Sequence, residues 1–139
     1  MARFASFSAM SLALLVALAL SGCGGSRQLQ SVTLSPASAD AKDFHNGQVQ
    51  FTATGTFSRP PSPVQLTSKD VQWCVGSGTG ACPGNINTGA IVDQSGVAQC
   101  NSGFVGTTTV QAGNVKSASM NPDAGFQLKV FGSAQLTCP

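Results

Sequence analysis

Five cysteines, five aspartates and one histidine are the residues of this chain that could do chemistry; there is no Glu and no Tyr. The histidine, His45, sits in Asp43-Phe44-His45-Asn46-Gly47, a strand-to-strand loop with no nucleophile at a catalytic spacing. A Gly-x-Ser-x-Gly elbow does not occur. Asp40, Asp43, Asp70, Asp93 and Asp123 are dispersed through turn-like segments, where they suit Asx turns better than paired-carboxylate catalysis. Asp40 and Asp43 together offer far fewer oxygens than the six to eight that Ca²⁺ takes. Gly76, Gly78 and Gly80 lack the following Lys and helix of a phosphate loop. The cysteines lack paired Cys-x-x-Cys spacing, and only His45 could complete a zinc set. The expectation is a protein with no catalytic residues, no metal and no cofactor.

Cys23 is the exception to this quiet inventory. It follows a leader of three parts: Arg3, the apolar run from Met10 to Leu20, and the small residues Ser21 and Gly22. The apolar run is too short for a spanning helix, which needs about 20 residues. Leu20-Ser21-Gly22-Cys23 resembles the lipobox of bacterial lipoproteins. That resemblance implies cleavage after residue 22, a diacylglyceryl thioether on Cys23 and a further amide-linked chain. Two or more acyl chains hold a protein stably on a bilayer, whereas one holds it marginally. Gly24, rather than Asp, implies the outer membrane if the host is diderm. Residues 1–22 are then a signal peptide, and residues 23–30 a lipidated cysteine with a short tether reaching roughly 25 Å when extended.

Cys74, Cys82, Cys100 and Cys138 remain, and an even number in an exported chain reads as two disulfides. Cys74–Cys82 with Cys100–Cys138 is the favoured pairing. The first would close a loop with glycines at 76, 78 and 80, soft enough to bend back, and the second would tie down the chain end. The rival is Cys74–Cys100 with Cys82–Cys138.

The elements that would carry these cysteines are strands. Val32 and Leu34 alternate with polar neighbours before Pro36; Val49, Phe51 and Ala53 do the same, as do Val71, Trp73 and Val75. Ala90–Asp93, Val97–Cys100, Thr107–Ala112 and Phe126–Val130 are strand-like, with Ala134–Cys138 continuing the edge after a break at Gly132-Ser133. Asn114 to Gly125, containing Asn121-Pro122-Asp123, and Gly76 to Gly89 read as loops. About seven short antiparallel strands give an all-β sandwich. Val32, Leu34, Val49, Phe51, Val71, Trp73, Val110 and Leu128 are the expected core. Only 9% of residues are charged. Without Arg3, six basic residues face five acidic ones, scattered rather than striped, so nucleic acid is not an expected partner.

Five segments in order resemble the bacterial Ig-like domain, group 2, of intimins and invasins. They are Ser31–Pro36, Val49–Phe57, Leu66–Trp73, Asp93–Val97 and Gly106–Ala112. The resemblance implies an immunoglobulin-like sandwich over residues 31–139 and carries no catalytic residues with it. The functional expectation is a lipid-anchored envelope module with a structural, adhesion or protein-interaction role. Its partners would be the membrane and an envelope or surface protein. Recognition is expected on loops such as Arg59–Pro63 and Gly76–Gly89, or on a strand edge. A passive envelope component is the second reading, and an accessory carbohydrate- or ligand-binding surface lipoprotein the third.

Overall fold

The computed structural model describes residues 25–83, 88–118 and 125–139. The leader, Cys23 and Asn121-Pro122-Asp123 lie outside the described residues. The alternating segments form β1 (Leu29–Ser35), β2 (Ser38–Asp40), β3 (Gln48–Gln50), β4 (Thr52–Phe57), β5 (Val64–Gln65) and β6 (Gln72–Gly76). They continue as β7 (Ala81–Cys82), β8 (Ala90–Val92), β9 (Val97–Cys100), β10 (Gly106–Ala118) and β11 (Phe126–Cys138).

The strands make two layers. In one, β1 pairs β4 and β3 pairs β9, which pairs β8. Because β3 and β4 are consecutive halves of one stretch, the order across this layer is β1, β3–β4, β9, β8. The other layer runs β2, β11, β10, β6. With β1, β3–β4, β6, β8, β9, β10 and β11 taken as strands A to G, the layers are A-B-E-D and C-F-G. This is the strand order of an immunoglobulin-type sandwich. β2 adds to the outer side of β11 in parallel, while the other pairings are antiparallel.

The period-two pattern buries one face of each strand. All eight expected core residues are buried, from Val49, Phe51 and Val110 at 0% exposed to Val32 at 7%. Leu136 joins them at 0%. Trp73 is the second residue of β6 and is 5% exposed. The turn after β8 closes over it: Gly96 has φ +86°, and a Cβ there would meet Phe51 O at 2.5 Å and the indole at 2.9 Å. Glycine alone satisfies both the backbone angle and the space.

Three boundaries depart from expectation. The strand around Phe51 is split, because the Phe51 N–H leaves the ladder to bond Gly96 O at 2.9 Å. The expected break at Gly132 is not a break. Ala112 pairs with Gly132 inside a continuous β11. Lacking a Cβ, Gly132 lets β1 pass close by; an added methyl would meet Val32 O at 2.5 Å. Finally, β10 continues through Ala118, where a loop was expected from Asn114. Register shifts between Asn114 and Ser117 absorb the irregular sequence. There the Asn114 Oδ1 accepts the Val130 N–H at 2.8 Å, standing in for a ladder bond.

Candidate interaction surface

The two disulfides organise the molecule's functional geography. Cys74 bonds Cys82 with Cα atoms 5.7 Å apart, and Cys100 bonds Cys138 at 5.8 Å. The favoured pairing is the one formed. Cys100 ends β9 in one layer and Cys138 ends β11 in the other, so this bond staples the two layers at one end of the sandwich. Cys74 and Cys82 instead close a loop against the outside of the β6–β10–β11 layer.

Gln111 holds that loop in place. It lies opposite Cys74 on β10 and is 0% exposed. Its Oε1 accepts the Gly80 N–H at 2.8 Å, and its Nε2 donates to Ala81 O at 3.2 Å. Gln94 does comparable work at Trp73. Its Oε1 accepts the Trp73 N–H at 3.2 Å and its Nε2 donates to Trp73 O at 3.3 Å. One amide side chain thereby occupies the outer edge of β6 as a neighbouring strand would, which blunts that edge against pairing with another chain. Gln50 acts similarly, donating to Phe51 O at 2.8 Å and Ser95 O at 2.9 Å. Between these groups lies a cleft of about 400 Å³ walled by Gln50, Thr52, Gln65, Thr67, Trp73 and Gln94.

Asp40, Asp70 and Asp93 serve turns. Asp40 is held below its ordinary pKa by the Lys42 ammonium 2.9 Å away and by the Lys42 N–H. Asp70 is lowered by the Thr67 N–H and hydroxyl, each 2.8 Å away. Asp93 is lowered by the Ser95 hydroxyl at 2.6 Å and the Val97 N–H at 3.0 Å. His45 is exposed in the β2–β3 connection. Among the described residues no group of three or more His, Cys, Asp or Glu side chains could hold a metal ion.

Three exposed apolar side chains belong to segments that meet near Cys100–Cys138. Phe44, in the β2–β3 connection, is 39% exposed and borders a cleft of about 260 Å³ with Lys42, Asn46, Gln99, Cys100 and Pro139. The β9–β10 loop packs Phe104 onto Gly89 and leaves Val105 75% exposed. Ile91, opposite Gln99 on the neighbouring edge strand, is 62% exposed. The fourth exposed large hydrophobic among the described residues, Val115, lies elsewhere, on the β10–β11 hairpin.

Of the loops expected to recognise a partner, residues 58–63 are exposed, and residues 84–87 of the second lie outside the described residues. Residues 76–83 pack against Gln111 and β11, and Arg59–Pro63 lies at the opposite end of the sandwich, against the N-terminal segment. No protein-family model matches the sequence, and no curated protein matches it.

Proposed function

We propose that the chain is a lipid-anchored envelope lipoprotein whose immunoglobulin-like domain is an interaction or adhesion module of the bacterial group 2 kind. The single observation that carries the interaction role is the apolar cluster around Cys100–Cys138. Phe44, Ile91 and Val105 are all more than a third exposed at one end of a sandwich with few charges to offer a partner. Scattered single hydrophobics are ordinary on a surface, whereas apolar side chains that share one end of the domain can form part of a contact site.

Two further observations support the reading. Two disulfides in so small a domain suit an oxidising compartment outside the cytoplasm. The five segments that resemble the Ig-like family fall, in order, on β1, on β3–β4, on the approach to β6, on the β8–β9 turn and on β10. Trp73 is committed to the core, so a sugar-stacking surface finds no support in it.

The test is site-specific photo-crosslinking in intact cells. A crosslinking residue at position 105 or 44 is expected to yield a discrete adduct that one at position 60 does not. Phe44→Ser with Val105→Ser should abolish adducts formed through a third probe at position 102, while non-reducing mapping shows both disulfides intact. Equal labelling from both ends, or labelling indifferent to the double variant, refutes the assignment.

A further inference from the structure

The residues expected to form a loose tether are built into the domain. β1 begins at Leu29, and the clamp starts earlier still. Arg59 Nη1 donates to Gly25 O at 2.6 Å. Arg27 reaches back in return, donating through Nε to Arg59 O at 3.4 Å and through Nη2 to Pro61 O. Its guanidinium also lies 3.5 Å over the centre of the Phe57 ring. Gln28 and Ser58 exchange two bonds: the Gln28 N–H donates to Ser58 Oγ at 3.0 Å, and the Ser58 N–H to Gln28 O at 2.9 Å.

Only Gly24 therefore separates Cys23 from the clamped segment. Two residues of chain span at most about 7 Å, against the roughly 25 Å of a free tether. The surface beside the clamp is basic. Arg27 and Lys69 both act electrostatically on Asp70, and Arg59 stands in the same loop as Pro61. The apolar cluster is at the other end. β1 and β2 run away from the clamp, and β2 lies parallel to β11, which ends at Cys138.

The geometry points to a rigid membrane mount: the Arg27–Arg59 clamp seats the 57–63 loop on the phosphate headgroups of the bilayer that holds Cys23, and the apolar end points outward. The inference rests on the lipid-anchor reading. Its occupant follows from chain length and charge. An acylated Cys23 can lie no farther than two residues from Gly25, and the clamp presents cations where a phosphate layer must be.

The test uses the lipidated protein reconstituted into vesicles of phosphatidylethanolamine and phosphatidylglycerol, with a nitroxide quencher on a fraction of the headgroups. A fluorescent residue is placed at position 60 in one sample and at position 102 in another. The two ends stand roughly 35 Å apart at ~3.3 Å per strand residue, so quenching at 60 should exceed that at 102 by about five-fold or more. A flexible Gly-Ser insert of about ten residues between Gly24 and Gly25 adds roughly 17 Å of reach and should bring that ratio towards one. Arg27→Gln with Arg59→Gln should lower it as well. Equal quenching at both positions in a protein that floats with the vesicles overturns the mount and leaves the anchor standing. Failure of the unaltered protein to float, or to carry lipid on Cys23, removes the anchor itself and the mount with it.

Discussion

Replacing Gln111 by Leu probes the device that fixes the Cys74–Cys82 loop. The side chain is 0% exposed and satisfies two backbone groups, the Gly80 N–H and the Ala81 carbonyl. Leu has similar bulk and no polar atoms, so both groups lose their partner. A buried group left without a hydrogen bond costs about 1–3 kcal/mol, and two such groups sum to roughly 2–6 kcal/mol. For a domain of about a hundred residues, at about 4 °C per kcal/mol, that corresponds to a drop in Tm of roughly 8–24 °C. The assay is urea and thermal unfolding of the oxidised protein, followed by far-UV circular dichroism. Gln111→Glu sharpens the test. It keeps an acceptor for Gly80 but sets a carboxylate against the Ala81 carbonyl, so burial and repulsion raise its folded pKa. Its stability is then greatest below the unfolded pKa of about 4.3, where the protonated acid can donate to Ala81, and falls as pH rises through the folded value. A Gln111→Leu protein melting within a degree or two of the parent refutes the argument that this amide carries the loop.

Other outcomes follow from the same structure. Trp73→Ala should cost about 3–5 kcal/mol in urea titrations, as for other buried aromatics; an unchanged midpoint contradicts its place in the core. Replacing Cys100 and Cys138 together by Ser removes a 38-residue separation and should cost about 4 kcal/mol on the chain-entropy model, against about 2.5 kcal/mol for the 8-residue separation of Cys74 and Cys82. The reverse order in Tm would contradict the staple role assigned to the inter-layer bond. Asp93 has its pKa lowered by Ser95 and Val97, so its stabilisation is present above its unfolded value of 3.8 and is lost as pH falls through the folded value. Asp93→Asn should flatten the acid limb of the stability curve below about pH 4; an unaltered limb argues against it.

Alternation along the strands was the legible part of this fold, because burial of one face leaves a period of two wherever a strand has one wet side. It located the core from Val32 to Leu128. The Gly-rich sequence between Cys74 and Cys82 made the correct pairing readable, since glycine at 76, 78 and 80 marks a chain able to turn back on itself. The amide devices were not legible. Gln94 and Gln111 look like any polar residue in or beside a strand, and only the backbone groups opposite them reveal that each substitutes for a missing strand or anchors a loop. Continuation of β10 past Asn114 was hidden for the same reason, a side-chain amide replacing a ladder bond. The N-terminal clamp was concealed by composition: Gly25-Ser26-Arg27-Gln28 resembles a linker, and it becomes structure only because Arg59, thirty-two residues on from Arg27, folds back against it. The apolar cluster was likewise invisible, since Phe44, Ile91 and Val105 come from three separate segments.

The central claim is that this sandwich works outside the cytoplasm, held there by an acylated thiol. Mass spectrometry of the N-terminal peptide from membranes, beside fractionation of a Cys23→Ser protein, measures it directly. A peptide that begins at Cys23 and carries acyl chains, with the serine protein lost from the lipid-bound fraction, is the outcome this account requires. An unmodified cysteine, or a serine protein that stays on the membrane as before, contradicts it.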